Sequence, residues 1–325
     1  MMRVAAVIPN YNGAHHLGPL FDDIAAQTRP FDAVLLADNG STDGSASLAE
    51  SRGAVVLRFG ANLGFARAGN AGVQAAADAD LVAVLNNDVR LSPNWLERML
   101  AGLPDSAAYG CGKVFSALEP GLLDGTYDTV CRGGTALRSG SRRSDGPFWS
   151  ESKPITFAPF TAVVIRRGVF LSVGGLDEEF GSYLEDVDFG LRCGSEGHSG
   201  HYIPDAVAWH IGSATRGIWH PRTVCQIARN QLLLVARHYP PEVLREFGWP
   251  IAVSQILWGL VALRHGRAGA WLRGKWLGVR EFRRYRRRGS PAVRVILSES
   301  ENEIRRIQAA SGYDWYWRLY FALVR

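Results

Sequence analysis

Three stretches of the chain place carboxylates where chemistry could be done. "LVAVLNNDV" (Leu81–Val89) is an apolar run that ends in Asn86, Asn87 and Asp88. "AVLLADNGSTDGS" (Ala33–Ser45) ends its apolar run on Asp38. "LEDVDFGLRCGSEG" (Leu184–Gly197) opens with Glu185, Asp186 and Asp188 and closes on Gly. Local structure offers one account of each: Asn and Asp form turns at strand ends, and acids cap helix starts. Chemistry offers another. A carboxylate at a strand end can hold a metal or a phosphate-linked ligand. A carboxylate at a helix start, in a cleft, needs to reach only one hydroxyl proton to act as a general base. Asp186 and Asp188, two apart on a helix, point in different directions and should not share a role. Asp38 could accept hydrogen bonds from a base imide or a ribose.

The elements around these residues alternate. "VAAVI" (Val4–Ile8), "AVLLAD" (Ala33–Asp38), "AVVLRF" (Ala54–Phe59) and "LVAVLN" (Leu81–Asn86) read as strands. Between them, "HHLGPLFDDIAAQ" (His15–Gln27) has Leu17, Leu20, Phe21 and Ile24 on one helical face. "TDGSASLAESRG" (Thr42–Gly53) reads as a second helix, and "ARAGNAGVQAAAD" (Ala66–Asp78) is a small-residue helix able to pack close to a sheet. Such alternation predicts an α/β fold with a mostly parallel sheet covered by helices on both faces. Sites in such sheets lie at the carboxyl ends of the strands. Here those ends are Pro9-Asn10-Tyr11-Asn12, Asp38-Asn39-Gly40-Ser41 and Asn86-Asn87-Asp88. The segment 119–154 is rich in Gly, Ser, Asp and Arg, and reads as loops and short strands over the site. "RTVCQIARNQLLLVARHY" (Arg222–Tyr239) is a strong amphipathic helix, and the chain beyond it is helical, basic and Trp-rich.

The 325 residues suffice for one large core plus an appendage, and 47% hydrophobic with 21% charged is ordinary for a globular enzyme. The net charge of +5 is unevenly spread. From Arg264 to Arg294 there are eleven Arg or Lys against one acid, Glu281, so the remainder of the chain stands at 5 − 10 = −5. The basic character therefore belongs to one region and its partner. Cys111, Cys131, Cys193 and Cys225 have neither zinc nor redox spacing and read as isolated thiols in a reducing cytoplasm. No leader sequence is evident at the start, and "WPIAVSQILWGLVAL" (Trp249–Leu263) is shorter than the roughly 20 residues a bilayer span takes.

There is no "GxxxxGK[ST]", and no "GxGxxG" follows the first strand, which argues against ATPase and dinucleotide enzymes. In their place stand "VIPNYNG", "DNGSTDGS", "NLGFARAGNAG" (Asn62–Gly72), "LNNDV", "GGLDEEFGSYLEDVDFGLRCGSEGH" and "PDAVAWHIGS". Each is weak alone. Six in this order, from about Val4 to Ser213, resemble the family 2 glycosyltransferases of the GT-A fold. The resemblance is nearest to the bacterial branch that builds cell-surface polysaccharides, including rhamnosyl- and galactofuranosyltransferases. It implies a GT-A domain over 1–239, with a nucleotide-sugar half to about 115 and an acceptor half beyond, and a helical basic extension over 240–325. It also implies roles. Pro9, Asn10 and Tyr11 would shape a base pocket, and Asp38 would contact the pyrimidine or ribose. Arg67, Asn70 and Asn87 would approach the nucleotide. Asp88 and His210 would ligate Mg²⁺ or Mn²⁺ on the diphosphate of a dTDP- or UDP-sugar, and Asp186 would be the base of an inverting transfer. The family's metal motif often reads Asp-x-Asp. Asn86 fills its first position here, leaving Asp88 as that motif's sole carboxylate.

Two rival classes make different demands. A non-catalytic sugar-nucleotide-binding or scaffold protein would be expected to have lost Asp88 or Asp186. A nucleotidyltransferase would want a Gly- and Arg-rich loop after the first strand, and "PNYNGAHH" has no Arg. For the basic tail, "LRHGRAGAWLRGKWLGVREFRRYRRRG" (Leu263–Gly289) predicts an interfacial helix on anionic lipid, with segment 258–294 on the membrane. Trp258, Trp271, Trp276 and Phe282 would lie at the boundary. Nothing supports nucleic-acid binding, and the sequence leaves the oligomeric state open. The expected location is cytoplasmic, peripheral on the inner face of a bacterial membrane, and the expected acceptor is a glycan or a lipid-linked hydroxyl.

Overall fold

The computed structural model describes residues 2–212 and 219–324. Ser213, the last residue of the "PDAVAWHIGS" motif, lies outside them. The first elements are β1 (Val4–Asn10), α1 (Ala14–Ala25), β2 (Ala33–Asp38), α2 (Ser45–Ser51), β3 (Val55–Arg58), α3 (Phe65–Ala75), β4 (Leu81–Leu85), β5 (Val89–Leu91) and α4 (Trp95–Gly102). Then come β6 (Ala107–Ser116), β7 (Leu123–Gly125), β8 (Asp128–Val130), β9 (Ala136–Arg138), β10 (Lys153–Ile155), β11 (Ala162–Arg166), α5 (Arg167–Ser172), α6 (Glu185–Ser195) and β12 (Ser199–His210). Six helices follow: α7 (Pro221–His238), α8 (Pro241–Glu246), α9 (Gly248–Arg264), α10 (Ala268–Tyr285), α11 (Ala292–Ser311) and α12 (Trp315–Leu323).

The chain divides into two compact units, one of residues 1–127, 140–193 and 198–212, the other of 128–139, 194–197 and 213–325. In the first, a sheet runs β10-β12-β6-β11-β4-β1-β2-β3, with β5 added on β12 and β7 on β6. The contiguous set β3-β2-β1-β4 is parallel throughout. Beyond it β11 runs antiparallel to both β4 and β6, so the sheet is mixed. β1 and β4 are buried at every position, which is why they read as unbroken apolar runs rather than alternating ones. Leu17, Leu20, Phe21 and Ile24 of α1 enter the same core. The small residues of α3 allow a close approach: a Cβ on Gly72 would lie 2.3 Å from Val7 Cγ1.

Among its described residues, the second unit is helical apart from the β8–β9 hairpin. α7 belongs to this unit and packs along α10, so the unit begins before the Tyr239 boundary expected from the sequence. Gly274 and Gly278 of α10 let the two helices close, since a Cβ at Gly274 would lie 2.2 Å from Cys225 O. α11 holds the hairpin. Ser300 Oγ accepts the Val130 N–H at 2.7 Å, and Glu301 accepts from the Arg132 N–H at 2.9 Å and its guanidinium at 2.8 and 3.0 Å. Tyr320 donates to the same carboxylate at 2.8 Å. Burial beside Glu301 pushes the Cys131 thiol up to about 12, so it is a packing residue. Among the described residues no helix is long and apolar enough to cross a membrane.

Candidate active site

Parallel pairing of β1 with β2 sets Asn10 directly opposite Asp38. Both are buried, at the carboxyl ends of their strands. Asn10 Nδ2 donates to Ser41 Oγ at 3.1 Å and, longer, to Asp38 Oδ1 at 3.4 Å. Its Oδ1 accepts from Asn87 Nδ2 at 2.7 Å. Asp38 Oδ2 accepts the Ser41 N–H at 3.2 Å, a turn closed on the strand's own end. Asn10 and Asn87 thus tie the ends of β1, β2 and β4 together through their side chains, beside the backbone bond from the Asn39 N–H to Asn10 O at 2.8 Å. Gly13 makes room for the joint: a Cβ there would lie 2.1 Å from Asn87 Nδ2 and 2.5 Å from Asn10 Oδ1. Pro9 is buried in β1, and Tyr11 is exposed just past its end.

Asp88 lies one residue beyond this joint, and a different strand supplies its neighbour. β5 pairs antiparallel with β12, with Val89 opposite His210. His210 Nε2 lies 3.1 Å from Asp88 Oδ1, and Asn86 Nδ2 lies 3.3 Å from the same nitrogen. The other ring nitrogen, Nδ1, is 3.0 Å from Asp124 Oδ2. Asp124 sits on β7, which reaches the site by pairing with β6 beside β12.

Burial works against the charged forms of both partners, yet their contacts prevail. Burial would lower His210, but the hydrogen bonds to Asp124 and Asp88 and their charges raise it to about 9. Burial would raise Asp88, but the hydrogen bond and charge of His210, with a smaller contribution from His16, hold it below the usual carboxylate range. The pair therefore demands positive charge. With Nδ1–H donated to Asp124, a neutral ring would aim the Nε2 lone pair at a carboxylate oxygen 3.1 Å away. Either a proton or a metal cation must lie between them. The donor set suits a cation: one carboxylate oxygen, one imidazole nitrogen, and a second carboxylate fixing the tautomer from behind. Asp88 and His210 are only two ligands, and among the described residues no three His, Cys, Asp or Glu side chains are grouped to hold an ion unaided. A hard cation with two protein ligands keeps positions for phosphate oxygens.

The acids of α6 separate by environment. Asp188 is fully buried and spent on Arg192, at 2.7 and 2.9 Å, whose guanidinium also donates to the Val173 and Gly175 carbonyls. Asp186 is half-buried, and its Oδ1 accepts the Val187 N–H at 2.8 Å. The two residues before the helix, Tyr183 and Leu184, both have φ of +69°, a left-handed turn that bulky side chains seldom adopt.

α3 is tied to the loop that leads into α6. Asn70 Nδ2 donates to Leu176 O at 2.8 Å and Asn70 Oδ1 accepts the Leu176 N–H at 2.7 Å, so this amide clamps the Gly-Gly turn. Arg67 approaches Glu178 at 3.7 Å with more than half its side chain exposed. The structure thus gathers Asn10, Asp38 and Asn87 at one joint and Asp88 with His210 beside it. Arg67 and Asn70 sit on the separate α3 contact. Asp124 and Gly13 were missed from the sequence. Gly13 had a faint signal in "NYNGAHH", while Asp124 lies in a stretch without periodicity.

Comparison with known proteins places these motifs. The profile of the family described as Glycosyl transferase family 2 matches residues 5–171. An N-acetylglucosaminyl-diphospho-decaprenol L-rhamnosyltransferase of Mycobacterium tuberculosis is 30% identical over 247 residues, covering 67% of this chain and 78% of that protein. The O-antigen biosynthesis protein RfbC of Myxococcus xanthus is 28% identical over 60% of this chain, though the match covers only 16% of RfbC. Among solved structures, GalNAc-T7 with UDP, GalNAc and Mn²⁺ superposes with a TM-score of 0.64 at 15% identity, covering 96% of this chain and 58% of that one. The mannosyltransferase PcManGT of Pyrobaculum calidifontis, with GDP-Man and Mn²⁺, gives 0.54 at 16% identity, covering 98% and 83%.

Proposed function

Because the chain belongs to glycosyl transferase family 2, we propose that it moves a sugar from a dTDP- or UDP-sugar to a hydroxyl of a glycan or lipid-linked acceptor, with inversion, in cell-surface polysaccharide synthesis. The observation that carries the proposal is the Asp88–His210 pair, a carboxylate oxygen and a ring nitrogen 3.1 Å apart at the carboxyl edge of the sheet. They are satisfied by a proton or a metal cation between them, and they stand beside the Asn10–Asp38–Asn87 joint.

In this reading Asp38 and Asn10 receive the base or ribose, Pro9 and Tyr11 flank it, and Asn87 ties that pocket to the metal ligands. Arg67 and Asn70 border the nucleotide from α3. Asp88 and His210 hold Mg²⁺ or Mn²⁺, the latter being the ion present in both solved neighbours named above. When bound, the ion supplies positive charge against the departing diphosphate. Asp186 takes the acceptor's proton. The engagement of Asp188 with Arg192 supports this choice, since it leaves Asp186 as the half-buried carboxylate of the two. A single displacement needs no covalent intermediate and no Ser or Cys nucleophile. The rhamnosyltransferase relative, whose name gives a decaprenol-linked acceptor, supports a membrane-borne acceptor. The proposed place of work is the cytoplasmic face of that membrane.

The direct test is to screen nucleotide sugars for protection against thermal unfolding, with and without Mn²⁺. A ligand at 100 times its dissociation constant adds about 2.7 kcal/mol. Metal-dependent protection by one dTDP- or UDP-sugar is expected. Protection by none, or protection unchanged in Asp88→Ala, would remove the proposed site.

A further inference from the structure

Among the described residues, eleven of the eighteen large hydrophobic side chains that are exposed lie between Trp249 and Leu323. They are not scattered there. α9 carries no charge before Arg264 and is apolar all round, which normally means burial on every side. Val253, Leu257 and Ala262 are indeed in the core, but Trp249, Ile256, Leu260 and Leu263 are 62, 60, 46 and 59% exposed. At about 100° per residue these four fall within an arc of about 60°, in a stripe about 21 Å long. α10 repeats the pattern. Leu272, Trp276 and Val279 are 59, 59 and 67% exposed and also share an arc of about 60°.

The two stripes emerge together. Gly259 of α9 meets the Trp271 ring of α10, where a Cβ would lie 2.8 Å from Cζ2. Only His265, Gly266 and Arg267 join the helices, so they are antiparallel neighbours. In each helix, followed in its own chain direction, the stripe lies on the same rotational side of this contact, by roughly a fifth to a third of a turn. Antiparallel partners so arranged present both stripes on one side. α12 extends the apolar face, because Trp249 Nε1 donates to Leu323 O at 2.9 Å, and Leu319 and Leu323 are exposed.

Arginines border this face. Arg283 falls within the α10 stripe, Arg273 and Arg280 flank it, and Arg264 ends that of α9; all four are exposed. Other cations of the run turn inward. Lys275 bonds Ala228 O and Gln231 Oε1, Arg286 donates to Ala236 O, and Arg267 donates to Trp219 O. Sequence composition had put Trp258, Trp271 and Phe282 at the boundary. The structure half-buries all three, with Trp258 against the apolar core and Trp271 on Gly259, and leaves Trp249 and Trp276 outside.

We infer that the joint α9–α10 face is a monotopic membrane-docking surface, inserting Trp249, Ile256, Leu260, Leu272, Trp276 and Val279 among the lipids while arginines at its border engage anionic headgroups. Charge selects this occupant. A second copy related by a two-fold axis would bring arginine borders together, like charge against like. An anionic bilayer surface meets both the apolar centre and the cationic rim. This role refines the reading of a membrane-borne acceptor, and it places the contact from about residue 249 to 283 rather than across 258–294.

The experiment is sedimentation of the full-length chain with phosphatidylglycerol–phosphatidylcholine vesicles and with pure phosphatidylcholine, without donor sugar. Strong pelleting with the anionic vesicles and weak pelleting with the neutral ones is expected. Leu260→Glu and Val279→Glu, both at exposed positions, should each weaken binding at least about tenfold. The triple variant Arg273→Gln, Arg280→Gln, Arg283→Gln, which leaves Arg264 in place, should lose most of the salt-sensitive part of the binding while keeping the apolar part. Unchanged melting temperatures would show that the variants fold. Wild-type chains that stay in the supernatant, or glutamate variants that pellet like wild type, would overturn the docking face. So would a wild-type dimer in analytical ultracentrifugation that Leu260→Glu splits. Nucleotide-sugar protection is measured without vesicles, so failure of the transferase reading would show there and leave the vesicle result standing.

Discussion

His210 Nδ1 is held 3.0 Å from Asp124 Oδ2, a carboxylate 86 positions earlier in the chain. That contact decides which ring nitrogen faces Asp88. Partners behind a ligating imidazole are commonly worth 10- to 100-fold in metal affinity. Asp124→Asn should therefore weaken Mn²⁺ binding by about 10-fold or more while the protein still folds. Titration calorimetry with Mn²⁺ checks it, and an unaltered affinity would mean that Asp124 plays no part in the site.

The same histidine sets a pH signature. Its folded pKa of about 9 stands above the ordinary 6.5, because the hydrogen bonds to Asp124 and Asp88 outweigh burial. In chelator, the stability this gives is complete below about pH 6.5 and lost as pH rises through about 9. The loss is up to about 3 kcal/mol. Denaturant unfolding across pH 6–10 should show the decline, and His210→Gln should flatten it. Metal must displace the imidazole proton, so apparent Mn²⁺ affinity should climb over the same range. An affinity independent of pH there would take His210 out of the ligand set.

Asp186 and Asp188 should fail differently. Asp186→Asn is expected to fold, protect with donor and lose turnover by at least about 10²-fold. Asp188→Asn removes a fully buried carboxylate from Arg192 and should destabilise by about 3 kcal/mol. Steady-state rates and melting curves of both variants separate the roles. Normal turnover in Asp186→Asn with inactive, stably folded Asp188→Asn would reverse the assignment.

Gly13→Ala tests the strand-end joint. Its Cβ would overlap Asn87 Nδ2 and Asn10 Oδ1, the two ends of one hydrogen bond, while the φ of −112° is open to alanine. Gly13 is buried and the added methyl must part a hydrogen-bonded pair, so the variant should lose about 1–3 kcal/mol and still fold. Breaking the Asn10–Asn87 bond should nevertheless weaken nucleotide-sugar binding, read as a higher dissociation constant by fluorescence or calorimetry. Binding equal to wild type would show that the joint does not shape the pocket.

The strand–helix alternation, the wholly buried β1 and β4 and the polar strand ends were legible because each rests on local pattern. A strand covered on both faces is apolar throughout, and residues at its end are the first free to be polar. Asp38 and Asp88 could be singled out for the same reason, and Asp186 by its place at the start of a helix. The mixed half of the sheet was not legible. β11, β6 and β12 pair across long separations, and no local period records direction or partner.

The motifs by themselves determined the family and the residues to suspect. The resemblance had set His210 and Asp88 on one ion; the tertiary structure supplies the means, since β5 must pair with β12 for the ring to face that carboxylate. It alone brought Asp124 behind the ring through β7, and spent Asp188 on Arg192. It also sorted the tryptophans of the basic tail, putting Trp271 against Gly259 and leaving Trp276 exposed. The two indoles are five positions apart on the same helix and chemically identical. Which one is exposed depends on a neighbouring helix's glycine, and that is a fact of packing that composition and charge do not encode.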